Sequence, residues 1–140
     1  MPSPNSSTDI FGDGLLGVAA VSAHDAWAAG YFSDSALNNV QILHWNGTKW
    51  RRASIPNSPL GLADDFLALG AKNVWAVGGS NLKNLVLQWN GKSWKRVPVA
   101  TGGTGDGLFY AIDGRAGDMW AVGEARDGSG SYFPQAQHCC

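Results

Sequence analysis

The chain writes one phrase three times. "DAWAAG" (Asp25 to Gly30), "NVWAVG" (Asn73 to Gly78) and "DMWAVG" (Asp118 to Gly123) each carry tryptophan third and glycine sixth. Trp27, Trp75 and Trp120 are therefore 75 − 27 = 48 and 120 − 75 = 45 residues apart. A second phrase follows the first two copies: "HWNGTKW" from His44 to Trp50 and "QWNGKSW" from Gln88 to Trp94. A unit of this size cannot bury a hydrophobic face alone and must stack on its neighbours. No other feature of the 140 residues restricts the fold as tightly.

A period of about 40–50 residues suits either paired helices or the four-stranded blades of a propeller. The apolar runs decide for strands. "LLGVAAVS", "FLALGA" and "LFYAID" are too short for a typical globular helix and are bounded by turn residues, as strands buried on both faces are. "VQILHW" and "LVLQW" are also short and β-rich, and both run into Asn-Gly. Asn-Gly between apolar runs is a strong hairpin signal, because both residues tolerate positive φ. The 19 glycines follow no Gly-X-Y period and fit a chain with many tight turns.

The expected fold is all-β: four-stranded antiparallel blades of propeller type, two complete and a third partial. Residues 1–14 are read as a tail from a preceding blade, 15–57 as the first blade, 62–101 as the second and 107–140 as the partial third. The innermost strands are placed at Leu15–Val21, Phe66–Gly70 and Leu108–Ile112, and the second strands centre on Trp27, Trp75 and Trp120. Third strands run over Val40–Trp45 and Leu85–Trp89, and outer strands over Trp50–Ile55 and Trp94–Val99. Gly47 and Gly91, with their asparagines, are expected to make two-residue primed turns. The turns bring Trp45 to Trp50 and Trp89 to Trp94, and rings at repeating positions suit packing between blades. Arg51, Arg52, Lys95 and Arg96 fall on the outer strands, where charge and a proline such as Pro98 discourage edge-to-edge pairing.

Composition excludes several classes. Hydrophobic residues make up 44% and charged residues 15%, unlike a disordered chain. A net charge of −1 and a pI near 6.2 give no electrostatic case for nucleic acid or an anionic membrane. No run of about 18 apolar residues argues for membrane insertion. The opening "MPSPNSSTDI" lacks the basic and apolar regions of a signal peptide. Cys139 and Cys140 are adjacent, a poor geometry for a disulfide, and with His138 they lack the second ligand pair of a structural zinc site. "HCC" is expected to be a frayed tail, with no metal and no cofactor.

Propellers bind ligands mainly on the loops leading into the innermost strand and those joining the second strand to the third. The first loop class is expected to hold Asp9, Asp13, Asp64, Asp65 and Asp106, and the second Asp34 and Asp127. From these, Asp34, Asp64, Asp65, Asp106 and Asp127 are the candidate ligand-binding residues, for a sugar hydroxyl network or a cation. Aspartate is also an ordinary turn residue. Asp64 and Asp65 are the one adjacent pair, and neighbours on an extended segment point opposite ways. His24, His44 and His138 are read as occupying unrelated repeat positions, which gives no Ser-His-Asp or Cys-His arrangement and no catalytic residue.

On these residues the chain resembles kelch-like β-propeller repeats, in which a glycine pair ends the second strand and an aromatic and a later tryptophan span the third and fourth. "VGG" (Val77 to Gly79) and "WNGKSW" (Trp89 to Trp94) follow that order. Tyr31 after Gly30 and Glu124 after Gly123 depart from it. "PSPN" (Pro2 to Asn5), "LLGVAAVSAHDAWAAG" (Leu15 to Gly30) and "HWNGTKW" are similar to tandem repeats of large predicted secreted bacterial proteins. The resemblance implies an extracellular or cell-surface setting and a chain that is a fragment or truncated reading frame, with self-association or neighbouring blades completing it. Repeats without catalytic groups, low charge and this likeness together lead to the expectation of a non-catalytic binding or scaffold module for glycans or protein partners. The alternative is part of a propeller-type hydrolase or lyase whose active site needs further blades.

Overall fold

In a computed structural model, residues 12–34, 37–57, 59–99 and 106–139 are described. Asp9, the "PSPN" stretch and Cys140 lie outside them, as do the side-chain details of Cys139. Among the described residues every regular element is a strand. The first sheet holds β1 (Asp13–Ser22), β2 (Asp25–Asp34), β3 (Leu37–Trp45) and β4 (Trp50–Arg52). The second holds β5 (Gly61–Gly70), β6 (Asn73–Ser80), β7 (Lys83–Trp89) and β8 (Trp94–Arg96). The third holds β9 (Asp106–Arg115), β10 (Asp118–Arg126) and β11 (Tyr132–Cys139). Each is an antiparallel meander with its strands side by side in chain order. No helix among the described residues is long and apolar enough to cross a membrane.

The repeats are in register from sheet to sheet. Trp27 pairs with His44, Trp75 with Gln88 and Trp120 with His138. The glycine three residues after each tryptophan has one reason in all three sheets. A Cβ on Gly30, Gly78 or Gly123 would collide with the carbonyl oxygen of Gly14, Leu62 or Leu108 on the innermost strand of its own sheet. Only glycine lets the two backbones pass that closely.

The sheets stack in sequence. β5 lies against β1, β2 and β3, and β9 lies against β5, β6 and β7. One core, between the first and second sheets, joins Trp27, Ala29, Val40 and Ile42 to Phe66, Val74, Leu85, Leu87 and Trp94. The other, between the second and third, joins Trp75, Val77 and Val86 to Phe109, Ile112, Met119 and Ala121. The second sheet thus packs on both faces, and its central strands carry apolar residues toward each: Val74, Ala76, Leu85 and Leu87 to one, Trp75, Val77 and Val86 to the other.

Several expectations need correction. The innermost strands start earlier than their apolar runs, so Asp13, Asp64, Asp65 and Asp106 lie in strands rather than loops. The outer strands are shorter than expected, ending at Arg52 and Arg96. The Asn-Gly hairpins are not two-residue turns. Trp45 pairs with Trp50 and Trp89 with Trp94 across four-residue loops. Gly47 and Gly91 do take positive φ, 87° and 89°, but Asn46 and Asn90 act through their side chains. Asn46 Oδ1 accepts from the amides of Thr48 and Lys49, and Asn90 Oδ1 from those of Lys92 and Ser93. The two-residue turn with both φ positive occurs instead at Asn81 (51°) and Leu82 (63°), between Ser80 and Lys83. Finally, His138 and Cys139 are no frayed tail: both belong to β11, paired along β10.

Candidate functional site

A cleft of about 310 Å³ opens between the second and third sheets. One side is formed by the start of β5 and the β6–β7 turn, through Leu62, Gly79, Asn81 and Leu82. The other is formed by the start of β9, the end of β10 and the start of β11, through Asp106, Leu108, Glu124, Arg126 and Tyr132. Two links hold its sides together. The Gly107 amide donates to Leu82 O at 2.6 Å. Asn84 and Gln135, 51 residues apart, exchange side-chain amide bonds of 3.1 and 2.8 Å. Gln135 Nε2 also donates to Glu124 O at 2.6 Å, so the amide pair is satisfied at both ends.

The lining is mixed. Leu82 and Tyr132 present apolar surface and are 68% and 63% exposed. Arg126 lies 5.7 Å from the centre of the Tyr132 ring, and its Nε donates to Gly130 O. Glu124 accepts a hydrogen bond from the Tyr110 hydroxyl. Burial, followed by Glu124 and the charge of Asp64, raises the Tyr110 pKa above the ordinary phenol value. The cleft can therefore offer an apolar and aromatic surface, carboxylates as acceptors and a guanidinium as donor.

The structure separates the five candidate aspartates. Asp106, first in β9, lines the cleft. Asp65 spans the sheets instead: its Oδ2 accepts from the Ile112 amide at 3.0 Å and so fixes β5 to β9. Asp64 sits at a register shift between Ala63 and Asp65, so the simple alternation expected of neighbours does not apply. Its Oδ2 is buried without a hydrogen-bond partner among the described residues. Desolvation, with the charge of Asp65 second, pushes its pKa up to about 6. Asp127 is a turn-former. Its Oδ1 accepts from Ser129 Oγ and from the amides of Ser129 and Ser131, and these bonds hold its pKa below the usual value. Asp34 ends β2, exposed and away from the cleft lining.

A second groove, of about 460 Å³, runs along the outer strands between the first and second sheets. Trp27, Trp89 and Trp94 line it with Arg51, Arg52 and Lys92. Arg52 is more than an edge charge here. It donates to Gln41 Oε1 at 2.6 Å, and its guanidinium carbon stands 3.9 Å from the centre of the Phe32 ring.

The histidines also need correction. His44 and His138 occupy the same place in their sheets, each opposite the repeat tryptophan. His44 Nε2 bonds Asp25 Oδ1 at 2.8 Å, His138 Nε2 bonds Asp118 Oδ1 at 3.1 Å, and Gln88 reaches Asn73 at 3.5 Å in the second sheet. The recurrence marks a structural bond that supports the tryptophan.

Leu82, Glu124, Arg126 and Tyr132 were not legible as site residues. Of the residues named from sequence Asp106 reaches the cleft lining, and the turn between the second and third strands of the second sheet adds Asn81 and Leu82. The available signal was a leucine standing in a turn, in "SNLKN". Among the described residues no group of three or more His, Cys, Asp or Glu side chains is placed to hold a metal ion. Comparison with protein-family models and with curated proteins finds no match for the chain.

Proposed function

We propose that the chain is a non-catalytic binding module of the kelch-like propeller type, and that the cleft between the second and third sheets receives a neutral carbohydrate outside the cell. One observation carries the ligand site. Leu82 takes a left-handed backbone conformation at φ 63° while its side chain is 68% exposed. Left-handed φ costs a leucine about 1 kcal/mol or more, and exposure returns no burial to offset it. Such strain persists at ligand sites more readily than elsewhere. Tyr132 faces the same cleft, and an aromatic ring beside carboxylates and a guanidinium suits a sugar's apolar face and hydroxyl rim. Sequential stacking of antiparallel meanders supports the propeller reading, and the resemblance to secreted repeats supports the extracellular one.

The test is a glycan array followed by titration of the best sugar. Tyr132→Ala is expected to weaken binding at least about tenfold. Leu82→Gly is expected to weaken binding while raising stability by up to about 1 kcal/mol. A blank array, or full affinity in Tyr132→Ala, overturns the assignment. A surface-protein pull-down then asks whether a protein takes the place of the sugar.

A contribution to a hydrolase or lyase active site assembled from several repeats is a second reading. Asp64, with a carboxyl oxygen buried without a partner among the described residues and a pKa raised to about 6, is tuned toward acid–base work. A turnover lost in Asp64→Asn would favour it, and the absence of turnover on any bound glycan counts against it.

A further inference from the structure

The joint between the first and second sheets has identifiable parts. Trp27 stacks on His44 with ring centres 4.1 Å apart, and meets Trp89 at 5.1 Å and Trp94 at 5.2 Å. Phe66 closes the cluster, 5.9 Å from Trp94. Trp27 is left 2% exposed. The second joint presents Trp75 from the same position, 5% exposed, against the Phe109 and Met119 side of the third sheet.

The third sheet repeats the presenting half. Trp120 lies 4.8 Å from His138, and Asp118 holds that histidine as Asp25 holds His44. Yet Trp120 is 51% exposed, and Val122, two residues along the same face, is 45% exposed.

The first sheet repeats the receiving half. Trp45 and Trp50 lie 5.8 Å apart at 48°, nearly the 5.9 Å and 45° of Trp89 and Trp94. Val18 occupies the place of Phe66: it pairs with the residue after Trp27, as Phe66 pairs with the residue after Trp75. Phe66 is 5% exposed and Val18 is 68% exposed.

We infer that these faces are two halves of one joint and that a second copy of this chain docks head-to-tail, its first sheet on the third sheet of its neighbour. The occupant is set by the joint inside the chain. A presenting Trp-His face already meets a receiving Trp-Trp face there, and the outer faces of the third and first sheets offer one of each. Two unlike faces make a heterologous contact, which either closes into a ring or extends. Closure at two copies gives six sheets and a mass of 2 × 14.8 = 29.6 kDa. The inference does not depend on the ligand cleft, which lies between the second and third sheets of one copy.

Sedimentation equilibrium across a concentration series tests it, with Val18→Glu and Trp120→Glu as probes. Both side chains are exposed, so neither substitution disturbs a core within the chain. The wild type is expected to assemble in multiples of 14.8 kDa, and each variant to weaken assembly roughly 100-fold or more. Trp120→Phe, which keeps a ring, should retain assembly. A wild type that stays at 14.8 kDa throughout overturns the inference. So does assembly that survives either charge substitution. Survival in Val18→Glu but not Trp120→Glu would mean that two third sheets meet face to face.

Discussion

Asp64 carries an unusual cost. Its carboxyl group has one oxygen buried without a partner, beside a second carboxylate that is occupied in bonding β9. Its pKa in the folded chain, about 6, lies above the 3.8 of an unperturbed aspartate. Between about pH 4 and 6 the native state therefore holds a proton that the unfolded state has released, and the stability owed to this group falls as pH rises through that window. The group is partly open to solvent, which reduces the effect to about 1 kcal/mol. Asp64→Asn should raise stability by that amount at pH 7 and by nothing measurable near pH 3, read from urea unfolding at both pH values. An equal effect at both would show that the carboxylate is not the strained group. Asp127 has the opposite setting. Its donors are all in its own turn, so its substitution should loosen the Asp127–Ser131 loop without touching the cleft lining on the β6–β7 side.

Among the elements, the Trp-Asn-Gly-x-x-Trp hairpin shows how a correct signal can name the wrong geometry. Glycine at the second position has positive φ at both copies, and a Cβ on Gly47 would press on His24 at 3.0 Å. Gly47→Val should destabilise the chain by more than about 1 kcal/mol in equilibrium unfolding, since a β-branched residue is disfavoured at positive φ. Loss of less would remove the glycine from its assigned role. Asn46 instead uses its side-chain oxygen to collect two amides of the loop, an option that the dipeptide alone does not distinguish from a primed turn. The strands and their order were legible because apolar runs and turn residues are local. The extension of β5 back to Gly61 was not, since Asp64 and Asp65 look like loop residues until the neighbouring sheet supplies Ile112 N. The cleft was not legible for the same reason. Leu82 and Tyr132 are 50 residues apart, and only the stacking of two sheets brings them to one opening.

For the whole molecule, one tryptophan position is used three times in two environments. Trp27 and Trp75 are sealed by the sheet that follows, and Trp120, with a histidine across the strand as Trp27 has, stands half in solvent. Stability in a stack of this kind comes from the contacts between neighbouring units more than from any unit alone. Identical residues should then differ in worth according to whether a neighbour covers them. Trp27→Ala and Trp120→Ala compare them directly, in denaturant unfolding at a concentration low enough to keep the chain monomeric. Trp27→Ala is expected to cost about 3–5 kcal/mol, as large aromatic truncations in a packed core do. Trp120→Ala is expected to change stability by no more than about 0.5 kcal/mol, as exposed substitutions do. Equal losses at the two positions would contradict the account, because they would mean that the stacking of sheet on sheet does not hold the chain together.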